Sequence, residues 1–133
     1  MLNAWQNPGV ERMSKNVLGN ELEPCSFDPM TGWYRDGYCH TDMNDTGTHT
    51  VGAKVTKEFL EWCKSLGNDL ITPIPEYGFP GLKPGDKWCI CASWFARAVQ
   101  AGKAPPIYLA KTHESTLKLV PLDILKKFAL DLS

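Results

Sequence analysis

The chain has 133 residues, a formal net charge of −1, 43% hydrophobic and 22% charged residues, which suits one domain with a single core and leaves no room for two ordinary ones. Lysines and arginines are scattered, without the basic stripe that neutralising a phosphate backbone requires, which argues against nucleic-acid binding. No apolar run approaches the roughly 20 residues that cross a bilayer, and the start lacks both a charged n-region and an apolar h-region, so the expectation is a soluble, cytoplasmic protein with no membrane partner.

Residues 1–15 are polar, unperiodic and interrupted by Pro8-Gly9, as in a loosely attached arm; residues 16–133 read as a single α+β domain. From Asn16 the chain has little periodicity yet carries Trp33, Tyr34 and Tyr38 among glycines, aspartates and prolines, the composition of a long ordered loop rather than of disorder. "THTVGAKV", Thr48 to Val55, is β-branched and predicts a strand. Thr56 is placed to cap a helix through "KEFLEWCKSL", with Phe59, Leu60, Cys63 and Leu66 on one face and Gly67 to end it in a left-handed conformation. The proline- and glycine-rich stretch that follows, containing Glu76, Tyr77 and Phe79, predicts a second long loop.

"WCIC" after Pro84-Gly85 predicts a short buried strand, and the helix after it runs from Ala92 or Ser93 to Ala101, closed by Gly102. "PPIYLAKT" predicts a third strand with its prolines at the start, "HESTLKL" a short helical turn, and Pro121 the first position of a last helix carrying Leu122, Leu125 and Phe128 or Ala129 on one side. Strands and helices mix without a βαβ rhythm. The expected architecture is therefore a small mixed or antiparallel sheet with three or so helices and two long ordered loops.

Five cysteines are an odd number in a chain able to build its own core, which argues against a secreted disulfide framework and predicts reduced thiols. On a strand Cys89 and Cys91 project to one face, with Trp88 and Ile90 on the other. If the strand ends at Cys91, its thiol lies beside the free N–H groups opening the next helix, where an anion is favoured; Cys91 or Cys89 is then a candidate nucleophile, with core packing as the alternative. His49, at the mouth of the first strand, is a candidate base or ligand, ahead of His40 and His113. Cys25, Cys39, Cys89 and Cys91 are numerous enough to ligate zinc tetrahedrally, but no C-x-x-C knuckle supports it, and Cys63 belongs to a packed helix face. "DMNDTG" matches the first half of a calcium loop at Asp42, Asn44, Thr46 and Gly47; Ala53 stands where the closing glutamate is needed, so turn formation explains the stretch better. Arg35, Asp36, Glu76 and Tyr77 put charge among aromatics, which suits either solvated pairs or the recognition of an anionic ligand.

"NVLGNELEPCSFDPMTGWYRDGYC", "TGTHTV", "GNDLITPIPEYGFPGLKPGDKWCICASWF" and "AGKAPPIYLAKTHESTL" closely resemble the bacterial family of domain of unknown function 2237, over Asn16 to about Ala129. The resemblance implies a single-domain α+β fold and no particular activity, cofactor or partner. Its pattern includes the positions of Cys25, Asp28, Arg35, Asp36, Cys39, His49, Glu76, Tyr77, Cys89 and Cys91; the chain departs from it at Gly52, where the family implies cysteine, and at His40 and Cys63.

These readings leave three functions open. The first is a Cys/His-lined pocket for a small polar or anionic molecule, in a thiol-dependent enzyme with Cys91 or Cys89 as nucleophile and His49 as base. The others are a cysteine-ligated zinc protein and a non-catalytic interaction or structural module. Neither the cofactor nor the oligomeric state is set by the sequence.

Overall fold

A computed structural model describes residues 14–45 and 48–132. Its regular elements are β1 (Val51–Lys54), α1 (Lys57–Ser65), β2 (Lys87–Ile90), α2 (Ala92–Ala101) and α3 (Leu122–Lys127), joined by long loops that contain three 3₁₀ turns. The strands form a two-stranded antiparallel sheet in which Val51 faces Ile90, Gly52 faces Cys89, Ala53 faces Trp88 and Lys54 faces Lys87. This is a small α+β fold.

Local signals account for the helices. The Thr56 hydroxyl accepts from the Phe59 N–H at 3.1 Å, Phe59, Leu60 and Cys63 are buried, and the chain leaves α1 through Gly67 at φ 91°, with the Asn68 N–H returning to the Cys63 carbonyl. Gly102, left-handed at φ 70°, closes α2. Pro121 stands at the cap of α3 rather than at its first helical position. Phe59, Phe95, Ile107, Leu109 and Leu125 fill the main core between helices and sheet, and Cys25, Cys39 and Cys89 form a separate small cluster.

Two expectations are corrected. The strand predicted from Thr48 begins only at Val51, because Thr48 turns at φ 52° and the Thr50 N–H folds back to its carbonyl. The third strand does not form: Ile107 makes single bridges to Ala53 and Ala129, and the chain then coils into a 3₁₀ turn at Leu109–Lys111. The Asp131 carboxylate accepts the Leu109 and Ala110 N–H groups at 2.8 and 3.0 Å, which removes the donors a ladder needs, and two prolines before Ile107 have none to offer.

Of the arm expected over residues 1–15, residues 1–13 lie outside the described residues. Ser14 and Lys15 are attached, through the Ser14 hydroxyl to His40 Nδ1 at 2.8 Å and through a bridge from Lys15 to Glu21. No helix among the described residues is long and apolar enough to cross a membrane.

Candidate functional site

The site forms where β2 passes into α2. Strand pairing ends at Ile90, and Cys91 takes an extended conformation as the cap of α2. The Ala92 N–H donates to the Thr48 carbonyl at 2.9 Å, so the segment entering β1 is drawn against the start of α2. That contact brings His49 and Cys91, 42 positions apart in the chain, onto the wall of one cavity of about 360 Å³.

His49 is held from behind. Its Nδ1 lies 2.6 Å from Asp45 Oδ1 and its backbone N–H donates to Asp45 Oδ2 at 2.8 Å. The Thr41 hydroxyl donates to the same Oδ2 at 3.0 Å, and the Asp45 side chain is wholly buried. A carboxylate accepts only, so Nδ1 carries the proton and Nε2 is the ring's acceptor. Trp33 stacks beside the imidazole with the planes 10° apart and the ring centres separated by 6.0 Å, while 41% of the His49 side chain remains open to solvent.

The Cys91 thiol is half-buried, with its sulfur 3.0 Å from Ser93 Oγ. It stands at the end of a ten-residue helix whose first N–H groups have no partner within the helix; Ala92 spends its own on Thr48. Trp94, one turn on, lines the cavity and donates its indole N–H to Cys63 Sγ at 2.9 Å. Burial pushes the Cys63 thiol up from its ordinary value, as befits a packed sulfur.

Arg35 supplies positive charge to the same cavity. Its Nη1 donates to the Gly32 carbonyl at 2.6 Å and its guanidinium lies 5.2 Å from the centre of the Trp88 ring, with the backbone left-handed at φ 54°. Tyr77 and Cys89 also line the cavity, Tyr77 from a 3₁₀ turn that leaves it 78% exposed. Asp36 and Glu76 are absent from this wall. Asp36 accepts the Tyr38 N–H and lies 3.8 Å from His40 Nε2; His40 is buried on Tyr38. His113 is engaged elsewhere, accepting the Ser115 N–H at 3.0 Å as the cap of a 3₁₀ turn.

The expectation of five reduced thiols is corrected. Cys39 and Cys89, 50 positions apart, are joined by a disulfide across a Cα separation of 5.4 Å. Cys25 remains a thiol against them, all three sulfurs lying within 4.8 Å of one another and buried. Cys91 is outside that group. Loss of solvent pushes the Cys25 thiol up to about 12, against the opposing charges of Lys111 and Lys87. In the candidate calcium stretch, Asp42 accepts the Tyr34 hydroxyl and the Asn44 N–H, both at 2.8 Å, and these hold its carboxyl below the usual range; Thr46 and Gly47 lie outside the described residues.

A family model described as an uncharacterized protein conserved in bacteria, domain of unknown function 2237, matches residues 15–129. The chain belongs to this family. No curated protein matches it. Within this member of the family, the residues that sequence reasoning missed are Asp45, Trp33 and Thr48. Asp45 and His49 share an i, i+4 spacing, but in a loop that spacing promises no contact, and the stacking of Trp33 depends on a turn 16 positions before His49.

Proposed function

We propose that the protein is a thiol-dependent enzyme acting on a small polar or anionic molecule, with Cys91 as nucleophile, His49 as its base and Asp45 as the positioning residue behind the imidazole. The observation that carries this reading is the buried Asp45 carboxylate 2.6 Å from His49 Nδ1, which leaves Nε2 as acceptor on a ring sharing a cavity with a half-buried thiol. The Sγ–H proton passes to Nε2 as sulfur bonds to an electrophilic carbon, and the imidazolium returns that proton to the leaving group. Negative charge developing on the substrate is met by the N–H groups of Ser93 and Trp94 in the first turn of α2. Arg35, on its Trp88 platform, suits an anionic substituent on the same molecule. Cys89, the other candidate nucleophile, serves here in the disulfide wall instead.

Iodoacetamide near neutral pH, followed by intact mass and peptide mapping, tests the scheme. Cys91 is expected to alkylate about tenfold faster than free cysteine, with Cys25 and Cys63 protected by burial. His49→Gln and Asp45→Asn are each expected to slow Cys91 by about tenfold while leaving the urea midpoint near that of the wild type. A Cys91 that reacts at the free-cysteine rate and ignores both substitutions removes the enzyme reading and leaves a non-catalytic binding module.

A further inference from the structure

The sulfur cluster beside the cavity is not used by this scheme. A tether needs two cysteines; here a third thiol, Cys25, is buried against the pair, in a cluster separate from the main apolar core. We infer that Cys25, Cys39 and Cys89 form, once the disulfide is reduced, a three-thiolate site for a thiophilic ion of trigonal preference, copper(I), and that the Cys39–Cys89 bond closes this site while it stands. The inference is independent of the role proposed for Cys91.

Three observations support it. The first is distance: with metal–sulfur bonds of about 2.3 Å, three sulfurs around a trigonal ion lie about 4 Å apart, and the sulfurs here all fall within 4.8 Å of one another. Opening the disulfide lets its two sulfurs part to that spacing by side-chain rotation, since the backbone already holds Cys39 and Cys89 at a Cα separation of 5.4 Å.

The second is the donor set. The group holds three cysteines and no histidine or carboxylate among the described residues, so a closed, all-protein tetrahedral zinc site lacks its fourth ligand. Soft, three-coordinate thiolate donation selects copper(I). The earlier expectation of a four-cysteine set therefore shrinks to three sulfurs, without Cys91. The third observation is charge. A copper(I) ion with three thiolates carries a net negative charge in a dry cluster, and the ammonium groups of Lys111 and Lys87, which both act on Cys25, are placed to offset it.

The gating step balances on its own atoms. A dithiol gives up two electrons and two protons, becoming a disulfide, and the Cys39–Cys89 S–S bond is replaced by two S–H bonds; the ion then displaces thiol protons to solvent. Cys89 lines the cavity, so the reductant has a side from which to approach.

The test uses the full chain under anaerobic conditions, opened with a phosphine and titrated with copper(I) against a chromogenic bidentate chelator. The reduced protein is expected to hold one equivalent that the untreated protein does not, and X-ray absorption of the loaded wild type to count three sulfur neighbours. Cys25→Ala is expected to weaken binding by more than roughly tenfold, and Cys91→Ser to leave it unchanged. No tight equivalent in the reduced wild type, a count of two sulfurs, equal binding by the untreated protein, or loss on Cys91→Ser would each overturn the inference. The sulfur count is made on the wild type, so it stands even if Cys25→Ala fails to fold.

Discussion

Reduction of the Cys39–Cys89 bond should lower stability by an amount set mainly by the loop it closes. The bond spans 50 positions, and the chain-entropy relation for a loop of that length gives about 4 kcal/mol removed from the unfolded ensemble. Some of this is offset by structure retained in the unfolded chain, so the expected loss is about 2–4 kcal/mol, or of order 10 °C in Tm for a chain of this size. Reduction leaves both side chains in the core, so the tether changes while the buried surface does not. The assay is urea unfolding followed by tryptophan fluorescence with and without a phosphine. Alkylation in denaturant then counts thiols by mass, with the three of Cys25, Cys63 and Cys91 rising to five. Two results would refute the reasoning: five thiols before reduction, or a reduced protein whose unfolding free energy lies within about 0.5 kcal/mol of the untreated one.

Two further outcomes follow from the packing and from one half-buried ring. A Cβ at Gly52 would meet the Lys111 carbonyl oxygen and Cβ, each at 2.8 Å, so Gly52→Ala should cost about 1–3 kcal/mol by urea unfolding; a neutral result would mean that the Leu109–Lys111 turn is free to move aside. Burial holds the His113 imidazole below its ordinary value of 6.5, so the unfolded chain takes up the proton first. Stability from the neutral ring is complete above 6.5 and is lost as pH falls through 6.5 toward the lower folded value. Urea midpoints at about pH 7.5 and 5.5 should show that loss in the wild type and less of it in His113→Gln, whereas equal losses in the two proteins would contradict it.

What was legible in the sequence was what the chain encodes over a few neighbouring residues. Thr56 and Gly67 bracket α1, Gly102 closes α2, and the short apolar run that starts at Trp88 supplies β2 as far as Ile90, because caps and burial patterns act within one or two turns. What failed depended on distant partners. The strand expected from Pro105 was lost to a carboxylate at Asp131, 22 positions after Leu109, and nothing near Leu109 announces it. The placement of Cys91 at a helix start and of His49 at a strand mouth was readable, while the buried support of Asp45 was not, since only the fold tells a solvated aspartate from one closed over by Thr41 and His49. Cysteine spacing likewise carries no connectivity, so neither the Cys39–Cys89 bond nor the company of Cys25 could be read.

Strand β2 links the sulfur cluster and the cavity thiol without merging them. Its Cys89 N–H donates to the buried Thr31 hydroxyl at 2.9 Å, and its sulfur is bonded to Cys39, so both flanks of the loop carrying Trp33 and Arg35 are fastened to one strand residue. Backbone bonds from Cys25 and Ser26 to the Gly37 carbonyl, and from Gly37 to Thr31, close that loop on itself. Two positions on, Cys91 leaves the same strand to open α2. Opening the disulfide therefore loosens the wall that presents Trp33 to His49 and Arg35 to the cavity, while the Asp45–His49 contact and the Thr48–Ala92 hydrogen bond, which set the imidazole and the thiol, do not pass through the sulfur pair. The redox state of Cys39 and Cys89 should accordingly act on ligand capture more than on the intrinsic reactivity of Cys91: alkylation of Cys91 by a small neutral reagent should change little on reduction, and discrimination in favour of an anionic reagent, which draws on Arg35, should fall. Equal changes for both reagents would place the thiol and the loop under a single control and remove the separation drawn from these contacts.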